Sequence, residues 1–246
     1  MTIFKKMHYL CHTYEGMHSR VRRDIKSLMK SRIPFPADDR SYLVKLIAQG
    51  EHQQQDFKYK VMDAVKLARS VSAFANTDGG RLLIGVRDDG HLSGVRSEEE
   101  IFMMHAAAFK YCRPQAAIKF ETFHAEGKTI VIATVPPTIR RPVCALNEEG
   151  KTIAYIRIAD ENIVASPVHL KLWQMDAAEK GQSMTFGEQE HTLLNTLGDH
   201  PDITLNRLVR LSRLPRHVVV SILARLVRFG LVGMKHANQQ FLFYEL

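Results

Sequence analysis

The sequence lacks the features that mark a disulfide-bonded, secreted or membrane-spanning protein. Its three cysteines, Cys11, Cys112 and Cys144, form no CxxC pair, so neither a structural zinc site nor a disulfide scaffold is indicated. No apolar run approaches the roughly 18 residues that span a bilayer. The first ten residues contain no apolar core of a signal peptide. These absences predict a cytoplasmic protein with no membrane partner.

The sequence also lacks the GxxxxGK[ST] loop with which many ATPases hold phosphate. Gly79-Gly80 is followed by Arg81-Leu82, and the lysine that would reach the phosphate is missing. We therefore expect no ATP hydrolysis. The glycine pair is better explained as the end of a helix, because glycine adopts the positive φ of a helix C-cap without strain.

Positive charge is in excess at both ends of the 246-residue chain, whose net charge is +8. Residues 1–40 contribute +5, residues 41–176 contribute +1 and residues 177–246 contribute +2. Such flanks indicate an anionic partner, DNA or RNA. We treat residues 1–40 as a basic helical extension that could contact phosphate or pack against a second copy of the chain in a homodimer.

Residues 41–178 predict one α+β domain with a mixed sheet. Asp63 is expected to begin a helix whose apolar positions repeat every three or four residues up to Gly79-Gly80. Asp89-Gly90 predicts a hairpin turn into a return strand near residues 91–95. Pro167 is expected to open a further helix. Strands are predicted near residues 54–60, 81–86, 117–123, 128–135, 141–146 and 152–158.

Residues 185–246 follow a polar linker and predict a small winged helix-turn-helix domain. Helices near 188–197, 205–211 and 215–229 precede short strands near 231–234 and 240–244, which is the element order of that module. At about 100° per residue, the third helix has an apolar face for the core and an opposite face suited to nucleic acid. The opposite face comprises His217, Ser221, Arg225 and Arg228, and Arg213 and Arg216 at the helix start suit phosphates.

An ordered set of motifs runs through the central domain. It comprises Glu51, Asp56-Phe57-Lys58, the run Phe74-Ala75-Asn76-Thr77-Asp78-Gly79-Gly80, Leu83-Ile84-Gly85-Val86, Asp88-Asp89-Gly90, and Tyr155-Ile156-Arg157. This set resembles the Schlafen AlbA-like domain, also named the divergent AAA-type ATPase domain. The resemblance implies an α+β fold. Bacterial members of this family are similar in joining the domain to a helix-turn-helix, and are described as DNA-binding or transcriptional regulators.

Nuclease members of the same family imply a second set of roles. Their pattern corresponds here to Glu51, Asp56 and Asp88 as catalytic residues and as ligands of Mg²⁺ or Mn²⁺, which would activate water for RNA cleavage. Lys58 would then stabilise phosphate charge. Asp88 could equally be an ordinary turn residue, and Glu51 a surface residue. The hypothesis requires the three carboxylates to converge within about 5 Å.

Two further residues are candidate nucleic-acid contacts beside Lys58. Asn76 could bind a ligand or simply hydrogen-bond the end of its helix. Arg157 alternates with Ile156 and Ile158 on a strand, so burial of the isoleucines would display it for phosphate or for a carboxylate. The sequence thus favours a DNA-binding transcriptional regulator. A metal-dependent endoribonuclease, an ATP-binding protein and a protein-interaction adaptor stay open.

Overall fold

The computed structural model describes residues 37–95, 98–178 and 186–246, with side chains from residue 41 onward. The predicted basic extension at 1–40 lies outside the described residues apart from the backbone of 37–40, and so does the linker predicted at 179–185. The elements are α1 (Ala37–Ala48), β1 (Gln55–Lys58), α2 (Ala64–Asn76), β2 (Gly80–Ile84), α3 (Glu98–Phe109), β3 (Cys112–Arg113), β4 (Lys119–Ala125), β5 (Lys128–Val135), β6 (Cys144–Leu146), β7 (Thr152–Ile158), β8 (Glu161–Val164), α4 (Pro167–Asp176), α5 (Glu188–Asp199), β9 (Ile203–Thr204), α6 (Leu205–Ser212), α7 (Arg216–Arg228), β10 (Val232–Ala237) and β11 (Gln240–Glu245).

The first sheet is mixed, as the sequence predicts. Its strand order is β1-β2-β5-β4, in which β1 and β2 run parallel and the other neighbours run antiparallel. A parallel pair needs a crossover connection, and α2 supplies it between β1 and β2. This crossover places the end of β1, which carries Asp56 and Lys58, beside the start of the loop that follows β2.

Helix α2 begins and ends where the sequence predicts. The Asp63 carboxylate accepts hydrogen bonds from the backbone N–H groups of Val65 (2.9 Å) and Lys66 (3.1 Å), which have no partner inside the helix. Gly79 takes a φ of +72° and donates its N–H to the Phe74 carbonyl at 3.0 Å. The helix is buried along most of its length, because it contacts the first sheet, α3 and a second sheet.

The second sheet has the order β3-β6-β7-β8 and is antiparallel. Strand β8 was not predicted. The predicted return strand near 91–95 is wrong, since only an isolated bridge joins Val86 to Leu92. The reason is that the carbonyl of Gly85 accepts the N–H groups of both Ser93 and Gly94, which turns the chain back as a loop.

The C-terminal residues contain the three helices and the two strands that the sequence predicts. Helices α5, α6 and α7 pack with an antiparallel sheet of order β10-β11-β9. The two-residue strand β9 was missed. Asn238 and Gln239, both at positive φ, form the turn between β10 and β11. Within the described residues, no helix is long and apolar enough to cross a membrane.

Helix α4 contributes to two cores. Val168 and Met175 belong to the buried cluster of the C-terminal helices. Trp173, on another side of the same helix, packs in a separate cluster with Ala154 and Ile156 of β7. The domain boundaries at 178 and 185 stay predictions. Helix α4, which ends before them, packs both with the C-terminal helices and with β7.

Candidate nucleic-acid interface

Two of the three predicted carboxylates meet at the start of β1. Glu51 lies in the turn before the strand, and its Oε1 accepts the backbone N–H of Phe57 at 2.8 Å. Burial raises the pKa of Glu51 above its ordinary value, and a hydrogen bond between its side chain and that of Asp56 raises it further, while the Phe57 N–H opposes the shift. The turn explains how residues five apart can face each other although β1 alone would separate them.

Two cations neutralise Asp56. Its Oδ2 lies 2.7 Å from Lys58 Nζ, and its Oδ1 lies 3.4 Å from Arg157 Nη2. Lys58 also donates to the Phe57 carbonyl at 2.8 Å. The Lys58 side chain keeps 33% of its surface exposed. Lys58 already forms an ion pair with Asp56, but its side chain is partly accessible. Phosphate contact by Lys58 therefore stays a prediction.

The predicted three-carboxylate metal site is not formed. Asp88 is exposed in the turn after β2. Across residues 41–95, 98–178 and 186–246, no group of three or more His, Cys, Asp or Glu side chains could hold a metal ion. Glu51 and Asp56 thus lack Asp88 as a third ligand, and the set does not fit a shared Mg²⁺ or Mn²⁺. Asp88 has the alternative role, that of a turn residue.

Arg157 is buried, so its predicted display for phosphate is wrong, whereas the alternative of a carboxylate partner is confirmed by its ion pair with Asp56. Its exposure is 2%, and Ile156 on the neighbouring position is also buried. Its guanidinium pairs with Asp56, donates to the Gln55 carbonyl at 3.3 Å and to Asn162 Oδ1 at 3.1 Å, and lies 5.1 Å from the centre of the Phe74 ring. Strand β7 is covered on both faces. The alternation of residue types along a strand does not show whether the second face is also covered.

Asn76 is also buried, and its side chain is fully used inside the protein. Its Nδ2 donates to the carbonyls of Val143 and Tyr155, both at 2.8 Å, and its Oδ1 accepts the Val143 N–H at 2.8 Å. These bonds join α2 to β7 and to the segment before β6. The prediction of a nucleic-acid contact is wrong, and the structural alternative explains the residue.

The predicted outer face of α7 is largely engaged within the chain. Arg225 forms an ion pair with Glu190 of α5. Arg228 Nη1 lies 3.6 Å from Asp176 Oδ1 of α4. Ser221 is half-buried. Arg225 and Arg228 are thus directed at acidic side chains of neighbouring helices, so the second half of α7 is less available to a large ligand than its first turn.

Exposed arginines cluster instead on α6 and at the start of α7. Arg207 and Arg210 are three residues apart and share one face of α6. None of the cluster makes an ion pair with another described residue, and Arg216 Nη1 bonds only the neutral Asn206 Oδ1, at 2.6 Å. His217 is exposed beside them. The cluster comprises Arg207, Arg210, Arg213 and Arg216, all exposed.

A sequence signal for this arginine cluster was available. Residues 203–244 contain six arginines and one lysine but no aspartate or glutamate. Three of these cations, Arg225, Arg228 and Lys235, find acidic partners outside that stretch. The four arginines of the cluster are the remainder. An acid-free stretch of this length indicates a surface that meets an anion.

Comparison with known proteins identifies the central domain. The family model of the Schlafen AlbA_2 domain matches residues 51–166, slightly less than half of the chain and within the region that shows the resemblance. No curated protein matches the chain.

Two solved structures are similar at low identity. The DIP2311 protein from Corynebacterium diphtheriae is 18% identical with a TM-score of 0.41, and the match covers 71% of this chain and 37% of that one. The N-terminal domain of a RecG-related protein from Nitrosomonas europaea is 19% identical with a TM-score of 0.31, and the match covers 60% of this chain and 94% of that domain. The chain therefore spans little more than a third of the first of these proteins.

Proposed function

We propose that this chain, which carries a Schlafen AlbA_2 domain, is a DNA-binding protein that holds duplex DNA through its C-terminal residues. The observation that carries the proposal is the arginine cluster. Four exposed guanidinium groups without acidic partners among the described residues occur on α6, at its C-cap and at the first residue of α7. Guanidinium groups bind phosphate with two parallel hydrogen bonds, so such a surface suits a nucleic-acid backbone.

The arrangement of elements supports the same proposal. We interpret α5, α6, α7 and the β10–β11 pair as a winged helix-turn-helix. In that module the helix corresponding to α7 enters the major groove by its N-terminal residues. Here those residues are Arg216 and His217, and both are exposed. The Arg207 and Arg210 side chains of α6 would then reach the flanking phosphates.

We further propose that the bound DNA serves transcriptional regulation, as the family resemblance implies. A cytoplasmic location and a homodimer stay predictions alongside it. RNA is the competing ligand, because phosphate recognition alone does not distinguish the two polymers. The metal-dependent nuclease is not proposed, since Asp88 does not join Glu51 and Asp56.

The test is equilibrium binding of the full chain to a labelled duplex DNA of about 20 base pairs, with an RNA hairpin in parallel. The double variant R210Q/R213Q should weaken DNA binding about tenfold at moderate salt, because two phosphate contacts are lost. The matched control is R140Q/R141Q, which removes the same charge from exposed arginines elsewhere. It should change the affinity less than about twofold, since distant charges are screened.

Two results would contradict the proposal. Equal losses in the two double variants would mean that general positive charge, and not the arginine cluster, attracts the DNA. Tighter binding of the RNA hairpin than of the duplex, with the same sensitivity to R210Q/R213Q, would keep the surface and change the ligand to RNA. Thermal unfolding of each variant should match that of the wild type, because all four side chains are exposed.

A further inference from the structure

Helix α4 packs extensively on α7, and one buried residue of α7 points away from the face that α7 turns to the C-terminal core. Ile222 and Leu226 of α7 face that core, and Ala224 points about 160° away from both at about 100° per residue. An alanine in that direction would be exposed on a free helix surface, yet Ala224 is fully buried. It belongs to the same buried cluster as Val168 and Met175 of α4, and α4 is the element that packs most extensively on α7.

Ion pairs link α7 to two neighbouring helices, α4 and α5. Arg228 at the end of α7 pairs with Asp176 at the end of α4, with 3.6 Å between Nη1 and Oδ1. Arg225 pairs with Glu190 of α5, whose side chain is 10% exposed. The cations in the second half of α7 are therefore directed at acidic side chains of this chain. Among the arginines of α7, Arg216 in the first turn is the one without an acidic partner in the described residues, and His217 beside it is exposed.

The dimensions of the groove set a limit on how such a helix pair can bind. The major groove of B-form DNA is about 12 Å wide, and one helix with its side chains is about 10–12 Å across. Two packed helices, with axes about 8–10 Å apart, are roughly 20 Å across. The pair of α4 and α7 therefore does not fit lengthwise into the groove.

We propose that α4 restricts the DNA contacts of α7 to its first turn, so that the chain grips the phosphate backbone and reads little base sequence. This inference rests on the proposed DNA binding and adds the class of target, which is duplex DNA of any sequence. Base reading requires several side chains spaced along a helix within the groove. The first turn of α7 and the arginine cluster would make more contacts to phosphates than to bases.

The first arm of the test compares two matched variants of the full chain. R216Q and R228Q remove the same charge from opposite ends of α7. R216Q should weaken binding to a duplex about fivefold or more, in line with the loss of one charged phosphate contact. R228Q should change it less than about twofold, because its guanidinium is paired with Asp176. A lengthwise recognition helix would make the two losses similar.

The second arm selects bound duplexes from a pool with a random central segment. We expect no enriched motif longer than about two base pairs, whereas sequence-specific proteins prefer their targets by about a thousandfold or more. An enriched motif of four or more adjacent base pairs, or a loss in R228Q equal to that in R216Q, would overturn the inference and leave DNA binding intact. Unchanged binding in both variants would overturn the arginine cluster as the interface. Absence of any binding at low salt would overturn the proposed function and this inference with it.

Discussion

The replacement of Asp56 by asparagine should strip a buried arginine of its counter-charge. The side chains of Asp56 and Arg157 are only 5% and 1% exposed, with 3.4 Å between their nearest oxygen and nitrogen. Two unit charges about 4 Å apart interact by about 4 kcal/mol at the effective dielectric constant of protein sites. Loss of one partner from a buried pair costs about 3–5 kcal/mol, because the remaining charge stays desolvated. Because the hydrogen bonds of Arg157 to Asn162 and to the Gln55 carbonyl remain, we expect the free energy of unfolding to fall by about 3 kcal/mol, the low end of that range.

The chain offers a control pair with the same geometry and a different environment. Arg87 and Asp89 lie 3.5 Å apart, but their side chains are 59% and 50% exposed. Double-mutant cycles built from D56N with R157M, and from D89N with R87M, isolate the coupling in each pair. We expect a coupling of about 2 kcal/mol for the buried pair and no measurable coupling for the exposed one, because solvent screens it.

The assay is urea unfolding, monitored by the fluorescence of Trp173, the only tryptophan of the chain. It packs beside Ala154 and Ile156 of β7, the strand that carries Arg157. A loss of about 3 kcal/mol should lower the urea midpoint by about 1 M or more. Far-UV circular dichroism at the same urea concentrations checks that one transition is being measured. Stability of D56N within about 0.5 kcal/mol of the wild type, or equal coupling in the two cycles, would refute the reasoning from burial.

Two further outcomes follow from single residues. Asn76→Ala should destabilise the fold by about 3 kcal/mol, because the Val143 N–H and the Tyr155 carbonyl lose a buried partner; Asn147→Ala, in an exposed turn, is the control, and an equal loss there would contradict this account. Glu51→Gln should stabilise the protein increasingly as pH rises from about 4.5 through the raised pKa of Glu51, because the fold favours the protonated acid. Unfolding series between pH 4 and 7 measure this, and a difference that is constant with pH would count against it.

Local signals in the sequence predicted the ends of helices well. Asp63, Gly79 and Pro167 each stand where the structure begins or ends a helix, since a cap depends on a few neighbouring backbone groups. The resemblance likewise anticipated a domain that the family model matches at residues 51–166. These features depend on residues close together in the chain or on an ordered set of motifs, and both can be recognised without knowing the packing.

The candidate site was harder to predict, because burial depends on distant elements. Arg157 lies on a strand with both faces covered, so alternation with Ile156 could not tell which face is buried. Asn76 is occupied by carbonyl groups about 70 residues further along the chain. The odd spacing of Glu51 and Asp56 was resolved only by a turn. In each case the missing information was which other segment lies opposite the side chain.

Helix α4 shows why the outer face of α7 was misjudged and what that implies for DNA binding. The core face of α7 follows from its own periodicity, but its opposite face is decided by α4, a helix some 50 residues earlier. Val168 and Met175 belong to the buried cluster that includes Ala224 of α7, while Trp173, on a different side of α4, packs against β7. Helix α4 can bury both of its apolar sides only if the AlbA_2 domain and α7 are both packed against it. Because α4 is fixed in this way, DNA gripped by the arginine cluster would meet the AlbA_2 domain in one orientation.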